Sequence, residues 1–247
     1  AEYPVVQATL TTRYAKRATD FIQRHAKQPF FLYFAEAMPH KPLAASEKHY
    51  LKAPGGLYGA ALADLDDSVG AVLDALKKNG VDDHTLVLFS SDNGAWFGGS
   101  CGGLRGMKGT SWEGGYRVPM IARWPGKIPA GRVNHELTVM MDIFATVLAA
   151  SGAKMPDERV LDGRDLMPVL AGEGQSPHEF VFGHQGPKLV TIRDARWKLH
   201  LLPAREMNLK PGPDGRWLDP RLPDGVTILA PFEQYNSRGQ QGAWTDI

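Results

Sequence analysis

Apolar positions along the chain follow two rhythms. Across residues 11–26, Tyr14, Ala18, Phe21 and Ile22 recur at three- and four-residue spacing, while Arg13, Lys16, Arg17, Gln23 and Arg24 fall largely elsewhere, which predicts an amphipathic helix. Across residues 57–78 the same rhythm is carried by Tyr58, Ala61, Leu62, Leu65, Val69, Val72, Leu73 and Leu76, and Asn79-Gly80 is a good helix stop. Between these helices, residues 30–35 are almost wholly apolar, as in a strand covered on both faces. Residues 85–90 form a second run rich in strand formers. Strand, helix and strand in that order predict a βαβ unit, its two strands parallel and joined by a right-handed crossover.

Further along, residues 117–123 predict another strand, with Pro119 marking an edge or an irregular start. Asp142 is placed to cap a helix that runs through Ala150 and stops at Gly152, and a short helical piece ends at Leu170. The composition shifts near residues 172–177, a candidate boundary between residues 1–172 and residues 173–247. Beyond it, residues 179–183, 188–193 and 197–202 predict a small antiparallel sheet, and residues 203–247 lose periodicity and predict irregular structure.

Composition narrows the function classes. The chain has 247 residues, enough for a sizeable core, and a formal net charge of +1, which gives no pull toward nucleic acid or an anionic membrane. No apolar run is long enough to span a bilayer, and the opening Ala1-Glu2-Tyr3-Pro4 does not read as a signal peptide. Cys101 is the single cysteine, so an intrachain disulfide is excluded.

Candidate chemistry gathers where apolar runs end. The second run stops in Ser91-Asp92-Asn93-Gly94, which sets a carboxylate and an amide oxygen at the C-terminal mouth of a strand, where ligands bind in open α/β sheets. Such oxygens suit Ca²⁺ or Mg²⁺, and they equally suit a plain turn. Nine glycines follow between Gly94 and Gly115, interleaved with Leu104, Met107 and Trp112, which can anchor a folded loop. That loop carries Lys108, either a cation held for an anion or a solvated lysine. The first run exits into Met38-Pro39-His40-Lys41-Pro42, where two prolines limit where His40 can point; it is a ligand-facing group or a histidine packed in its loop. The parallel βαβ reading would bring His40, Asp92, Asn93 and the Lys108 loop to one sheet edge. Asp64 and Asp67 read as a solvated or structural helix face, and His184 and His200 as packing or exposed-strand histidines.

Six motifs in order resemble the type I, arylsulfatase-like sulfatases of the alkaline phosphatase superfamily. These are the run at residues 30–34 with Pro39-His40-Lys41-Pro42, Asp66-Asp67-Ser68-Val69-Gly70, Ser91-Asp92-Asn93-Gly94, Leu104-Arg105-Gly106-Met107-Lys108-Gly109, Glu113-Gly114-Gly115 with Arg117-Val118-Pro119, and Trp124-Pro125-Gly126. The resemblance implies an α/β fold with a mixed, largely parallel central sheet flanked by helices and a small C-terminal antiparallel sheet subdomain. It implies hydrolysis of sulfate esters of a sulfated carbohydrate or an aryl alcohol, and a periplasmic or secreted setting. It assigns Asp92 and Asn93 as two ligands of an active-site Ca²⁺. Lys108 would contact the sulfate and the leaving oxygen, and His40 would help to protonate that oxygen.

The sequence also departs from the family. Its nucleophile is a formylglycine made from the Cys or Ser of a Cys/Ser-x-Pro/Ala-x-Arg string, and no such string occurs here; Cys101 is followed by Gly102-Gly103-Leu104-Arg105. The family's N-terminal Asp pair, and the Lys and His that follow the nucleophile, are missing too. The resemblance therefore implies the C-terminal part of a sulfatase, needing the N-terminal part of the same protein as its partner and inactive alone. A phosphonate or phosphate ester hydrolase on the same scaffold, or a non-catalytic sulfate- or glycan-binding module, are the alternatives.

Overall fold

The computed structural model describes residues 5–50, 52–156 and 158–204. The described residues divide into two compact units, the first ending at Asp82 and the second beginning at Asp83. The expectation of irregular structure over residues 203–247 lies almost wholly outside the described residues.

The first unit is built on two helices, α1 (Leu10–His25) and α2 (Gly56–Lys78), which pack on each other. Both were legible as amphipathic helices, but the buried stripes differ from the expected ones. In α1 the inward positions are Thr11, Ala15, Ala18 and Ile22, with Tyr14 turned outward; in α2 they include Leu57, Ala60, Ala61, Asp64 and Ser68, while Leu62 is exposed. Mostly small residues face inward on both helices, a pattern that permits close approach. Ala45, Leu57 and Ala60 form a core cluster with Leu43, Tyr50 and Ala53 against it.

Residues 30–35 are not a strand. They have no regular secondary structure, and Phe31 and Tyr33 are 67% and 81% exposed. A strand exists through backbone pairing, and no described backbone pairs with this stretch. The βαβ reading through these residues is corrected accordingly.

In the second unit, β1 (Val87–Ser90) pairs with β2 (Met120–Arg123) in antiparallel register, with Val87 opposite Arg123 and Ser90 opposite Met120. β2 begins just past Pro119, as the missing N–H of proline requires. Between the two strands lie the glycine-rich loop and a single helical turn, α3 (Glu113–Tyr116). Next come α4 (Asp142–Ser151), which stops at Gly152 with φ 72°, and α5 (Met167–Ala171), which stops at Gly172 with φ 82°. Both stops use the left-handed conformation that glycine adopts without a Cβ penalty. Asp142 is the first residue of α4, and its carboxylate is wholly buried. That carboxylate accepts from Val139 N at 2.8 Å, from Arg164 N at 2.8 Å and from His178 Nε2 at 2.7 Å. Thr146 extends the lock by donating to Asp142 O and accepting from Leu166 N.

The unit ends in the expected small antiparallel sheet, β3 (Val181–Gln185), β4 (Lys188–Arg193) and β5 (Lys198–His200), in the order β3-β4-β5. Asp194 shapes the β4–β5 turn. Its carboxylate accepts the N–H groups of Trp197 and Arg196, and these hold it below the usual carboxylate range.

Candidate functional site

Asp92 and Asn93 follow the C-terminal end of β1 after Ser91. Asp92 is exposed and Asn93 half-buried, and among the described residues neither side chain is engaged by another group. Ser91 Oγ donates to Asn93 O at 3.1 Å, which bends the backbone at this corner.

The glycine loop returns to the same corner. Lys108 N donates to Ala95 O at 2.9 Å, and Gly94 N donates to Gly115 O at 3.1 Å. The two ends of the loop therefore meet just beyond Asn93. Gly94 permits the meeting, because a Cβ there would lie 1.8 Å from Gly114 O. Inside the loop, Gly114 N donates to Arg105 O at 2.7 Å, and Cys101 Sγ donates to Gly114 O at 3.1 Å. Met107, with no exposed surface, packs against Phe97 and Cys101 and anchors the turn that presents Lys108. Thr110 closes that turn, donating to Met107 O at 2.8 Å and accepting from Met107 N at 3.2 Å. Lys108 is half-buried, and its ammonium has no partner among the described residues.

His40 belongs to the first unit and is exposed. It lies between the cis peptides Met38–Pro39 and Lys41–Pro42. Its Nδ1–H donates to Lys41 O at 2.5 Å, which leaves Nε2 as the outward nitrogen. Three of the four sequence candidates, Asp92, Asn93 and Lys108, thus share one loop system in the second unit, and His40 stands on its own Pro-flanked turn.

Two features were not legible in the sequence. In the first unit, Glu36 Oε1 accepts from Ser68 Oγ at 2.8 Å, while its Oε2 is buried with no hydrogen-bond partner among the described residues. Burial pushes the Glu36 carboxyl up, and the Ser68 hydrogen bond offsets part of that rise. In the second unit, Glu113 pairs with Arg193 and Lys198 across some eighty positions of chain. The Trp-Glu-Gly-Gly string drew attention to Glu113, but no local signal could name such distant partners.

One other group has metal-ligand spacing: His49, Asp64 and Asp67 offer ligand atoms within 4.8 Å of one another. Their oxygens already have donors. Asp64 accepts from Ser46 N and Ser46 Oγ, both at 2.5 Å, and Asp67 accepts from Lys48 Nζ and from His49 Nε2. The Lys48 ammonium and the His49 ring hold the Asp67 carboxyl below its usual range. With a cation already on Asp67, this group ties residues 46–49 to α2, and Asp64 is a structural residue of that knot.

The sulfatase family model matches residues 2–153, and the C-terminal model of N-sulphoglucosamine sulphohydrolase matches residues 107–203. The chain is 43% identical over 203 residues to N-acetylgalactosamine-6-sulfatase of Mus musculus, an alignment covering 79% of this chain and 39% of that protein. It is 40% identical over 213 residues to the steryl-sulfatase of the same species, covering 80% of this chain and 34% of that protein. Among solved structures, the PsFucS1 sulfatase from Pseudoalteromonas sp. superposes with a TM-score of 0.76 at 29% identity, covering 81% of this chain and 43% of that one. The chain therefore spans about two-fifths of the length of the curated relatives it matches. The order of its motifs, its α/β elements with a small antiparallel C-terminal sheet, and these matches agree: the chain belongs to the sulfatase family.

Proposed function

We propose that this chain supplies the C-terminal part of a sulfatase that hydrolyses sulfate esters of a carbohydrate or an aryl alcohol. Residues 1–172 belong to its α/β catalytic domain and residues 173–247 to a small subdomain. The reading rests above all on the Lys108 loop, which returns its backbone to Ala95 and leaves the ammonium without a partner among the described residues. In this reading Lys108 donates to the sulfuryl and leaving oxygens, where negative charge grows as the S–O bond breaks. His40 delivers a proton to the leaving oxygen from Nε2, since Nδ1 is committed to Lys41 O.

Asp92 and Asn93 are two hard oxygen donors that no other side chain engages among the described residues, which fits Ca²⁺. When bound, that ion supplies positive charge to the sulfate oxygens. The nucleophile does not come from this chain, which has no Cys/Ser-x-Pro/Ala-x-Arg string, so the N-terminal part of the same protein is the required partner and holds the formylglycine. A periplasmic or secreted setting accompanies this reading.

The test is turnover of 4-nitrophenyl sulfate with Ca²⁺. The whole protein carrying this chain should turn over, the isolated chain should not, and Lys108→Ala in the whole protein should lower kcat roughly a hundredfold or more. Multiple turnovers by the pure isolated chain would overturn the requirement for a partner. Faster hydrolysis of a phosphonate ester than of the sulfate would move the assignment to phosphonate chemistry, and sulfate binding without any turnover would make the protein a binding module.

A further inference from the structure

Glu113 sits at the first position of α3, five residues past Lys108, and both its oxygens are taken by the small sheet. Oε2 accepts from Arg193 Nη1 at 2.5 Å and Oε1 accepts from Lys198 Nζ at 2.8 Å. Arg193 ends β4 and Lys198 opens β5, and the register places the two opposite each other on one rung. Two cations side by side on adjacent strands repel unless an anion lies between them, so the rung forms a two-pronged socket for one carboxylate. All three side chains are a quarter exposed or less, which sets this group apart from a screened surface pair.

The neighbours of Glu113 are held by the same sheet. Trp112 packs against the His200 ring, with centroids 4.4 Å apart and the planes tilted by 51°, and takes the Arg105 guanidinium 3.6 Å from its own centroid. Tyr116 OH donates to His184 O at 3.0 Å, and Lys198 Nζ lies 4.9 Å over the Tyr116 ring. Contacts from β3, β4 and β5 thus converge on residues 112–116. From there a short hydrogen-bond series leads back to the lysine: Gly114 N to Arg105 O, Gly115 N to Trp112 O, Gly94 N to Gly115 O and Lys108 N to Ala95 O.

We propose that Glu113, seated between Arg193 and Lys198, is a positioning residue through which the small C-terminal sheet braces the loop that presents Lys108. The consequence for catalysis rests on the role given to Lys108 above; the brace itself does not. Replacing the carboxylate with an amide leaves two facing cations without their anion, so the socket should open and the loop should loosen while the rest of the unit stays folded.

The experiment uses the whole protein carrying this chain and two variants, Glu113→Gln and the milder Lys198→Gln. The first readout needs no activity. Amide hydrogen exchange at Lys108 and Gly114 should quicken about tenfold in Glu113→Gln while amides of α4 keep their protection. The second readout is kinetic: with 4-nitrophenyl sulfate, kcat should fall between about tenfold and a hundredfold with KM little changed, as expected when a catalytic group is misplaced. In a Lys108→Ala background the same substitution should add almost nothing to the loss. Lys198→Gln should show the same pattern at smaller size, and it carries the test if Glu113→Gln does not fold. Unchanged loop exchange in a folded variant overturns the brace, and an equal kcat loss with and without Lys108 overturns its action through that lysine. If the unaltered protein does not hydrolyse the ester, the sulfatase reading fails and the exchange result still decides the brace.

Discussion

Glu36 couples the fold to pH through a single carboxyl group. Its Oε2 is buried without a partner among the described residues, and burial raises its folded-state pKa above the usual carboxylate value. For an acid raised in this way, the folded state is favoured by protonation. That stability is fully present below the unfolded pKa and is lost as pH rises through the folded one. Glu36→Gln removes the charge and keeps an acceptor for Ser68 Oγ. The variant should therefore gain stability relative to the native chain between pH 4 and pH 7, whatever constant offset its new amide introduces. Urea midpoints at the two pH values measure the change, and a difference that does not vary with pH would refute it. Nothing in the sequence flags Glu36, because the apolar run before it and Ser68, 32 positions later, acquire their meaning only in the fold.

Helix α4 is fixed at its first residue. Asp142 has no exposed surface and accepts three hydrogen bonds, from Val139, Arg164 and His178, which fasten the helix to the segment before it and to two segments after it. Asp142→Ala should cost about 3 kcal/mol, since it strands buried donors, and chemical denaturation of the second unit should show the loss as a lower midpoint at unchanged slope. At this scale the sequence was most informative where structure is local. The periodicity of α1 and α2, the glycine stop of α4 and the three strands of the small sheet all follow from neighbours a few residues away. It was less informative about which face turns inward: Tyr14 and Leu62 are exposed while alanines are buried, because helix approach rather than side-chain size selects the stripe. It misread residues 30–35, whose composition suits a strand but whose pairing depends on distant chain. The candidate site divides in the same way. The Asp92-Asn93 corner and the Lys108 loop lie where turn chemistry put them, whereas the Glu113 ion pairs join residues 80 and 85 positions apart.

For the molecule as a whole, the described chain contributes two of the oxygen donors proposed for Ca²⁺, and calcium prefers six to eight. Calorimetry on the isolated chain should show weak binding or none, and submicromolar affinity would mean that the ligand set is wrong. The wholly buried Met107 has a different consequence: it makes the loop its own chemical clock. Peroxide oxidises a thioether only on contact, and the sulfoxide is too polar to return to the pocket lined by Phe97 and Cys101. Each excursion of the loop that lasts long enough for oxidation would then be recorded as a permanent mass increment of one oxygen. Met140 and Met141, both exposed on the same unit, supply the reference rate in the same digest. The ratio of their oxidation to that of Met107 measures how rarely the lysine's own support lets go.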